Sequence, residues 1–205
     1  MAPTSRPYNG VDTGERVAQR HERLLQVGLD ILGDPLGDDD LTLRTICGRA
    51  QLAQRYFYES FTDKDEFAAA VYDWALAKVV MSVQKALAEA TFVDGARVGL
   101  TQLIETVADD RRIGELLFSP HQVNTVIVAK RFESTGLFVQ LFSKQVRHEF
   151  RLDGAGRAPL VSHFLVGGVA QAIGAWLNGE VDVTQQELVD ELVEMLTVQG
   201  VGRFE

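Results

Sequence analysis

Apolar positions recur at helical spacing almost from one end of the chain to the other. Val17, Leu24, Leu25, Gly28, Ile31 and Leu32 fall on one face, which predicts a helix starting after Asp12-Thr13 and ending at Gly33. "GDPLGDDD" then reads as a turn. Thr42 stands where a hydroxyl caps a short second helix, with Leu43, Ile46, Cys47 and Ala50 inward and Arg44 and Arg49 outward. A break near Gln51 separates it from an aromatic helix whose inward positions are Leu52, Phe57 and Phe61. Asp63 with Glu66 three residues on marks the start of a long fourth helix carrying Phe67, Val71, Trp74 and Met81 on one side.

The second half keeps the same period. Ser119-Pro120 predicts an N-cap followed by proline at the first helical position, which favours helix for "HQVNTVIVAKRF" despite its β-branched residues. Pro159 predicts another helix start, and Thr184 with Glu187 forms a capping-box pattern before the last helix. Gly154, Gly156, Asn178 and Gly179 supply stops. About nine helices, no strand pair and no fixed repeat make the fold class all-α.

Composition narrows the functions open to such a chain. Its 205 residues, 46% of them hydrophobic, can close a full core. The net charge of −9 excludes a broadly basic nucleic-acid coat. The charge is uneven, however: residues 1–64 carry eight Lys/Arg against ten Asp/Glu, and residues 65–205 carry twelve against nineteen. The opening segment is close to neutral and leaves room for one DNA-binding face. Cys47 is the single cysteine, so an intrachain disulfide is impossible and a reducing compartment fits. Residues 1–14 have no apolar signal-peptide core and read as a mobile tail. The apolar run 164–177 is shorter than the roughly 18 residues a membrane helix needs. The expectation is a cytoplasmic protein with no membrane partner.

Signatures of catalysis are missing from the sequence. It has no glycine-rich phosphate loop, no G-x-S-x-G and no C-x-x-C. "HERLL" places Leu25 where a zinc site would need its second histidine, and His21, His121, His148 and His163 are scattered. Asp38, Asp39 and Asp40 lack calcium-loop spacing and read as a solvated turn. The expectation is therefore no enzyme, no catalytic residue, no metal and no cofactor.

Residues 42–59, helix then short turn then helix, have the arrangement of a helix-turn-helix. Gln54, Arg55 and Tyr56 project outward near the start of the second helix, and Gln and Arg side chains read adenine and guanine edges by paired hydrogen bonds. Thr42, Tyr58 and Lys64 suit phosphate oxygens, with Arg44 outward on the first helix of the pair. By the residues alone, two readings stand: a DNA-reading unit, or two short helices of an ordinary all-α core.

The run "TLRTICGRAQLAQRYFYESFTDKDEF" resembles the N-terminal domain of the TetR family of transcriptional regulators, through Thr42, Ile46, Ala50, Phe57, Tyr58, Phe61 and Lys64. It departs from that pattern at Gln51, in place of a turn glycine, at Ala53, in place of a capping Ser or Thr, and at Cys47, in place of alanine. The resemblance implies a three-helix DNA-binding domain over residues 15–67 and a larger helical ligand-binding and dimerisation domain over 68–205. It further implies a homodimer on palindromic double-stranded operator DNA, acting as a repressor released by a small molecule.

Candidates for the implied pocket are Leu103, Phe118, Phe138, Phe142 and Phe164, with Asn124, His163 and Gln171 as polar anchors. They suit a lipophilic or aromatic effector. Gly167 and Gly174 with the Leu188, Leu192, Leu196 stripe are the candidate dimer contacts, although both stripes also read as intramolecular core. The competing class is a helical ligand carrier or enzyme that does not bind DNA.

Overall fold

The computed structural model describes the backbone of residues 13–34, 40–89, 95–149 and 157–201, and within them the side chains of 14–34, 40–89, 95–140 and 158–196. Residues 1–12, the Asp38-Asp39 pair, Gly154 and Gly156, and the side chains of Phe142 and His148 lie outside that set. Nine helices and no strand occur among the described residues: α1 (Thr13–Leu32), α2 (Leu43–Ala50), α3 (Gln54–Tyr58), α4 (Lys64–Glu89), α5 (Gly95–Asp109), α6 (Arg111–Phe118), α7 (Thr125–Glu149), α8 (Arg157–Leu177) and α9 (Gln185–Val201). The all-α expectation holds.

Helices α1, α2 and α3 pack together, and α1 also lies against α4 and α6. The α1–α4 crossing is closed at Gly28. A Cβ there would meet Val71 Cγ2 and come within 2.7 Å of Phe67 Cζ. Leu24, Leu29, Phe67 and Val71 are fully buried around it. Val17, expected on this inward face, is exposed one turn beyond the contact, and Met81 is exposed near the far end of α4.

Polar contacts fix the rest of the bundle. Arg112 on α6 pairs with Asp30 on α1 and with Asp110, whose carboxyl it holds below the usual range by hydrogen bonding. Gln122 Nε2 donates to the Leu32 carbonyl at 3.0 Å, tying the end of α1 to the segment after α6. Tyr72 and Ser134 share a 2.6 Å hydrogen bond and Lys130 pairs with Asp73 at 2.8 Å, so α4 is pinned to α7. Arg131, largely buried, donates to the carbonyls of Glu115 and Leu116 at 2.6–3.0 Å and so satisfies the last turn of α6.

Several expected boundaries and contacts are corrected. Ser119 closes α6 rather than opening α7, its N–H donating to the Glu115 carbonyl at 3.2 Å. Asn124 caps α7 instead, its Oδ1 accepting from the N–H groups of Val126 and Ile127. Pro120 sits in the intervening turn. Gly174 faces α6 within the same chain, where a Cβ would stand 2.6 Å from the Phe118 carbonyl oxygen. Leu188 and Leu192 are buried in the same core, Leu196 packs against it, and α9 lies on α5. Gly174, Leu188 and Leu192 are therefore occupied inside the chain, while Leu196 is half-buried. The apolar run of α8 also extends further than expected. Ala158–Leu177 has a mean hydropathy of 1.5 and enough length for a bilayer span. Its Ile173, Gly174 and Leu177 are packed into the helical core. The Thr184–Glu187 capping box forms as expected, each residue accepting the other's backbone N–H.

Gly28→Ala is expected to destabilise the protein. The helix propensity gained from alanine is about 1 kcal/mol, but the new methyl overlaps branched and aromatic core atoms, at a cost of about 1–3 kcal/mol. Thermal unfolding should show a midpoint lowered by a few degrees, and a raised midpoint would contradict the close crossing.

Candidate nucleic-acid interface

The Thr42 hydroxyl oxygen accepts from the Thr45 N–H at 3.1 Å and caps α2, and it lies 2.8 Å from the Thr45 hydroxyl. Ile46, Cys47 and Ala50 point into the core while Arg44 and Arg49 face solvent. Burial raises the Cys47 thiol pKa, which keeps it protonated and inert. The helix ends at Gln51 in the left-handed region, φ 55° and ψ 40°. It is the one positive-φ residue other than glycine among the described residues. The Leu52 N–H closes the turn on the Cys47 carbonyl at 3.0 Å. Glutamine therefore accepts a conformation that glycine adopts at least cost.

Helix α3 is five residues long and Ala53, at its N-cap, makes no side-chain capping bond. So short a helix has little intrinsic stability, and its pose comes from side chains. Phe57 is buried, with ring centroids 5.5 Å from Phe61 and 5.4 Å from Phe67. On the other side Gln54, Arg55 and Tyr58 are exposed. Lys64, first residue of α4, is exposed next to them in the chain, where Asp63 Oδ1 caps the helix by accepting from the N–H groups of Asp65 and Glu66.

Tyr56 is placed differently from the other outward residues. It is half-buried, with the Arg20 and Arg55 guanidinium carbons 4.4 and 4.7 Å from its ring centre, and its hydroxyl accepts from Arg55 Nη2 at 2.7 Å. Three further residues that the motif alone did not single out, Arg20, Arg23 and Glu59, belong to this unit. Arg20 Nη2 donates to Glu59 Oε2 at 3.2 Å, and Arg23 Nη2 donates to Gln51 Oε1 at 3.0 Å. The signal available in the sequence was the three-residue spacing of the two arginines on α1, which places both on one face.

From Thr42 to Lys64 the chain carries Arg44, Arg49, Arg55 and Lys64 against Glu59 and Asp63, a net of +2 on a protein of −9 overall. Positive charge is thus concentrated on the α2–α3 pair, whose second helix exposes an amide, a guanidinium and a phenol.

The candidate effector residues do not gather into one cavity. Leu103 and Phe118 pack on the main core, and Phe138 is half-buried on α7. Asn124 is spent on capping α7, while His163, Phe164 and Gln171 face solvent on α8. A cleft of about 270 Å³ opens instead where α1 and α2 meet the end of α6, lined by Ile31, Leu32, Leu41, Glu115, His121 and Asn124 among others.

No protein-family model and no curated protein sequence matches the chain. Solved structures do. The fatty acid degradation regulator FadR from Bacillus halodurans matches with a TM-score of 0.70 at 15% identity, covering 91% of this chain and 97% of its own. A TetR-like transcriptional regulator from Rhodococcus sp. RHA1 matches with a TM-score of 0.69 at 18% identity, covering 91% and 98%. FadR from Bacillus subtilis, solved with stearoyl-CoA, matches with a TM-score of 0.65 at 12% identity, covering 90% and 100%. The chain has the fold of TetR-type transcriptional regulators over nearly its whole length.

Replacing Arg55 by alanine should weaken binding to a selected DNA duplex by about 1–3 kcal/mol, the range for a side chain that reads a base. Lys64→Ala should weaken selected and random duplexes alike and flatten the salt dependence. Titrations on both duplexes at several salt concentrations separate the two roles, and unchanged binding by both variants would remove this face from consideration.

Proposed function

We propose that the protein is a cytoplasmic, homodimeric transcriptional repressor that binds palindromic operator DNA and releases it on binding a lipophilic small molecule. The carrying observation is the exposed Gln54–Arg55–Tyr58–Lys64 set on a net positive helix-turn-helix, in a chain that is otherwise acidic. A ligand carrier or enzyme would have no use for such a face, and the fold is one that DNA regulators share.

The dimer reading rests on α8 and not on the α9 stripe. Leu160 and Phe164 are 70% and 64% exposed, and no atom lies within 4 Å of a Cβ placed on Gly167 or Gly168. Phe132 and Leu137, exposed on α7, add apolar surface on the helix that packs against α8. A second copy laid along this face would bury the apolar surface, and a dimer that reads successive major grooves needs its two recognition helices about 34–36 Å apart. Sedimentation should find the wild type as a dimer at micromolar concentration. Phe164→Glu should loosen the dimer about tenfold or more, because a carboxylate would be trapped in an apolar contact. A wild-type monomer would refute this part of the reading.

The effector is proposed as lipophilic because six of the chain's eleven phenylalanines lie in the stretch from Leu103 to Phe164. The stearoyl-CoA held by the Bacillus subtilis regulator shows that the fold can accept such a molecule. A ligand shifts the DNA-competent population only by its differential affinity for two arrangements, so bound operator must weaken ligand binding by the same factor. Acyl-CoA thioesters and aromatic compounds recovered by thermal shift should bind more weakly when operator DNA is present. Equal affinity for free and DNA-bound protein would rule out induction.

A further inference from the structure

We propose that Arg20 and Arg23 of α1 are positioning residues for DNA recognition, forming a clamp that replaces the local turn and cap signals missing from the α2–α3 unit. The inference rests on the DNA-binding reading above and concerns residues to which that reading gave no role.

Two local defects motivate it. Gln51 takes the left-handed conformation with a side chain attached, and Ala53 offers no side-chain oxygen to the N–H groups at the start of α3. A helix of five residues cannot hold its own orientation. Phe57 anchors one side of it in the core, while Gln54, Arg55 and Tyr58 on the other side are exposed. The arginines sit at the two ends of the unit. Arg23 donates to the Gln51 side chain at 3.0 Å, before α3, and Arg20 donates to Glu59 at 3.2 Å, after it. Between these points the Arg20 guanidinium also covers the Tyr56 ring at 4.4 Å. The pair thus restrains rotation of α3 about Phe57.

Charge gives Arg20 a second task. Glu59 is the one acidic residue between Arg49 and Asp63, and it would repel phosphate at the end of the recognition helix. Pairing it with Arg20 cancels that charge. One exposed pair contributes little by itself, so the clamp is tested by removing both arginines together.

Duplexes are first selected from a random-sequence library by the wild-type protein. The variant Arg20→Ala/Arg23→Ala should bind the selected duplex about tenfold more weakly, the combined scale of two pairs and a cation–π contact. Binding to unrelated duplex should change much less. Adding Gln51→Gly and Ala53→Ser restores the local signals and should recover most of the lost affinity. Equal loss on both duplexes without recovery would mean that the arginines touch phosphate directly, and the clamp would be wrong. No loss would overturn it as well.

Amide hydrogen exchange in the absence of DNA supplies an independent arm. Residues 51–59 should exchange faster in the double variant and slow again in the fourfold variant, while α5–α9 stay unchanged. Exchange of 51–59 unaffected by the double substitution overturns the clamp whether or not DNA is bound. If the library yields no enriched sequence but exchange follows the expected pattern, the DNA-binding reading fails and the clamp stands as a feature of the fold.

Discussion

The contact of Phe67 with Phe57 and Phe61 is the constraint on which the rest of the molecule depends. Phe67 belongs to α4, while Phe57 belongs to α3 and Phe61 to the segment that follows it. Their ring centroids lie 5.1–5.5 Å apart, and all three rings are buried. Such tilted and edge-on ring pairs contribute beyond the area they bury. The α3 backbone supplies almost no stability of its own, so its placement is inherited from a ring on the long helix. Any displacement of the N-terminal end of α4 is a displacement of α3.

Much of this was legible in the sequence because the signals were local. The Thr42 cap, the Asp63 cap and the Thr184–Glu187 box each depend on residues within three positions of one another, and each forms. Helix α3 was legible for a similar reason: its buried and exposed faces are set within five residues. Where local signals compete, the reading failed. Ser119-Pro120 has the composition of a helix start, but the Ser119 N–H is claimed by the Glu115 carbonyl and the start passes to Asn124.

Long-range pairing is what the sequence hides. A stripe of leucines on α9 has the same period whether it faces a partner or α5 of its own chain, and tertiary packing decided for α5. Gly174 likewise signals a close approach without naming the neighbour, which proves to be the Phe118 carbonyl. Arg20 and Glu59 are 39 positions apart, so nothing in their local patterns marks them as a pair. The effector residues were chosen by composition alone, and the fold distributes them between core, cap and solvent.

The notch at Gly28 has a kinematic consequence for the long helix. Buried side chains stand on α1 at Leu24, Leu25, Ile31 and Leu32, before and after the notch, and Val71 and Phe67 of α4 sit over the gap. Sliding α4 along α1 would drive those two side chains into the flanking ones, whereas tilting α4 about the notch keeps them seated. The crossing therefore behaves as a fulcrum, with a short arm toward Lys64 and α3 and a long arm toward Glu89. The hydrogen bond of Tyr72 to Ser134 and the ion pair of Asp73 with Lys130 lie just beyond the pivot on the long arm. A small shift of α7 applied there produces a larger angular change than the same shift applied at the far end. The geometry makes those two contacts the place where a given shift of α7 most changes the tilt of α4.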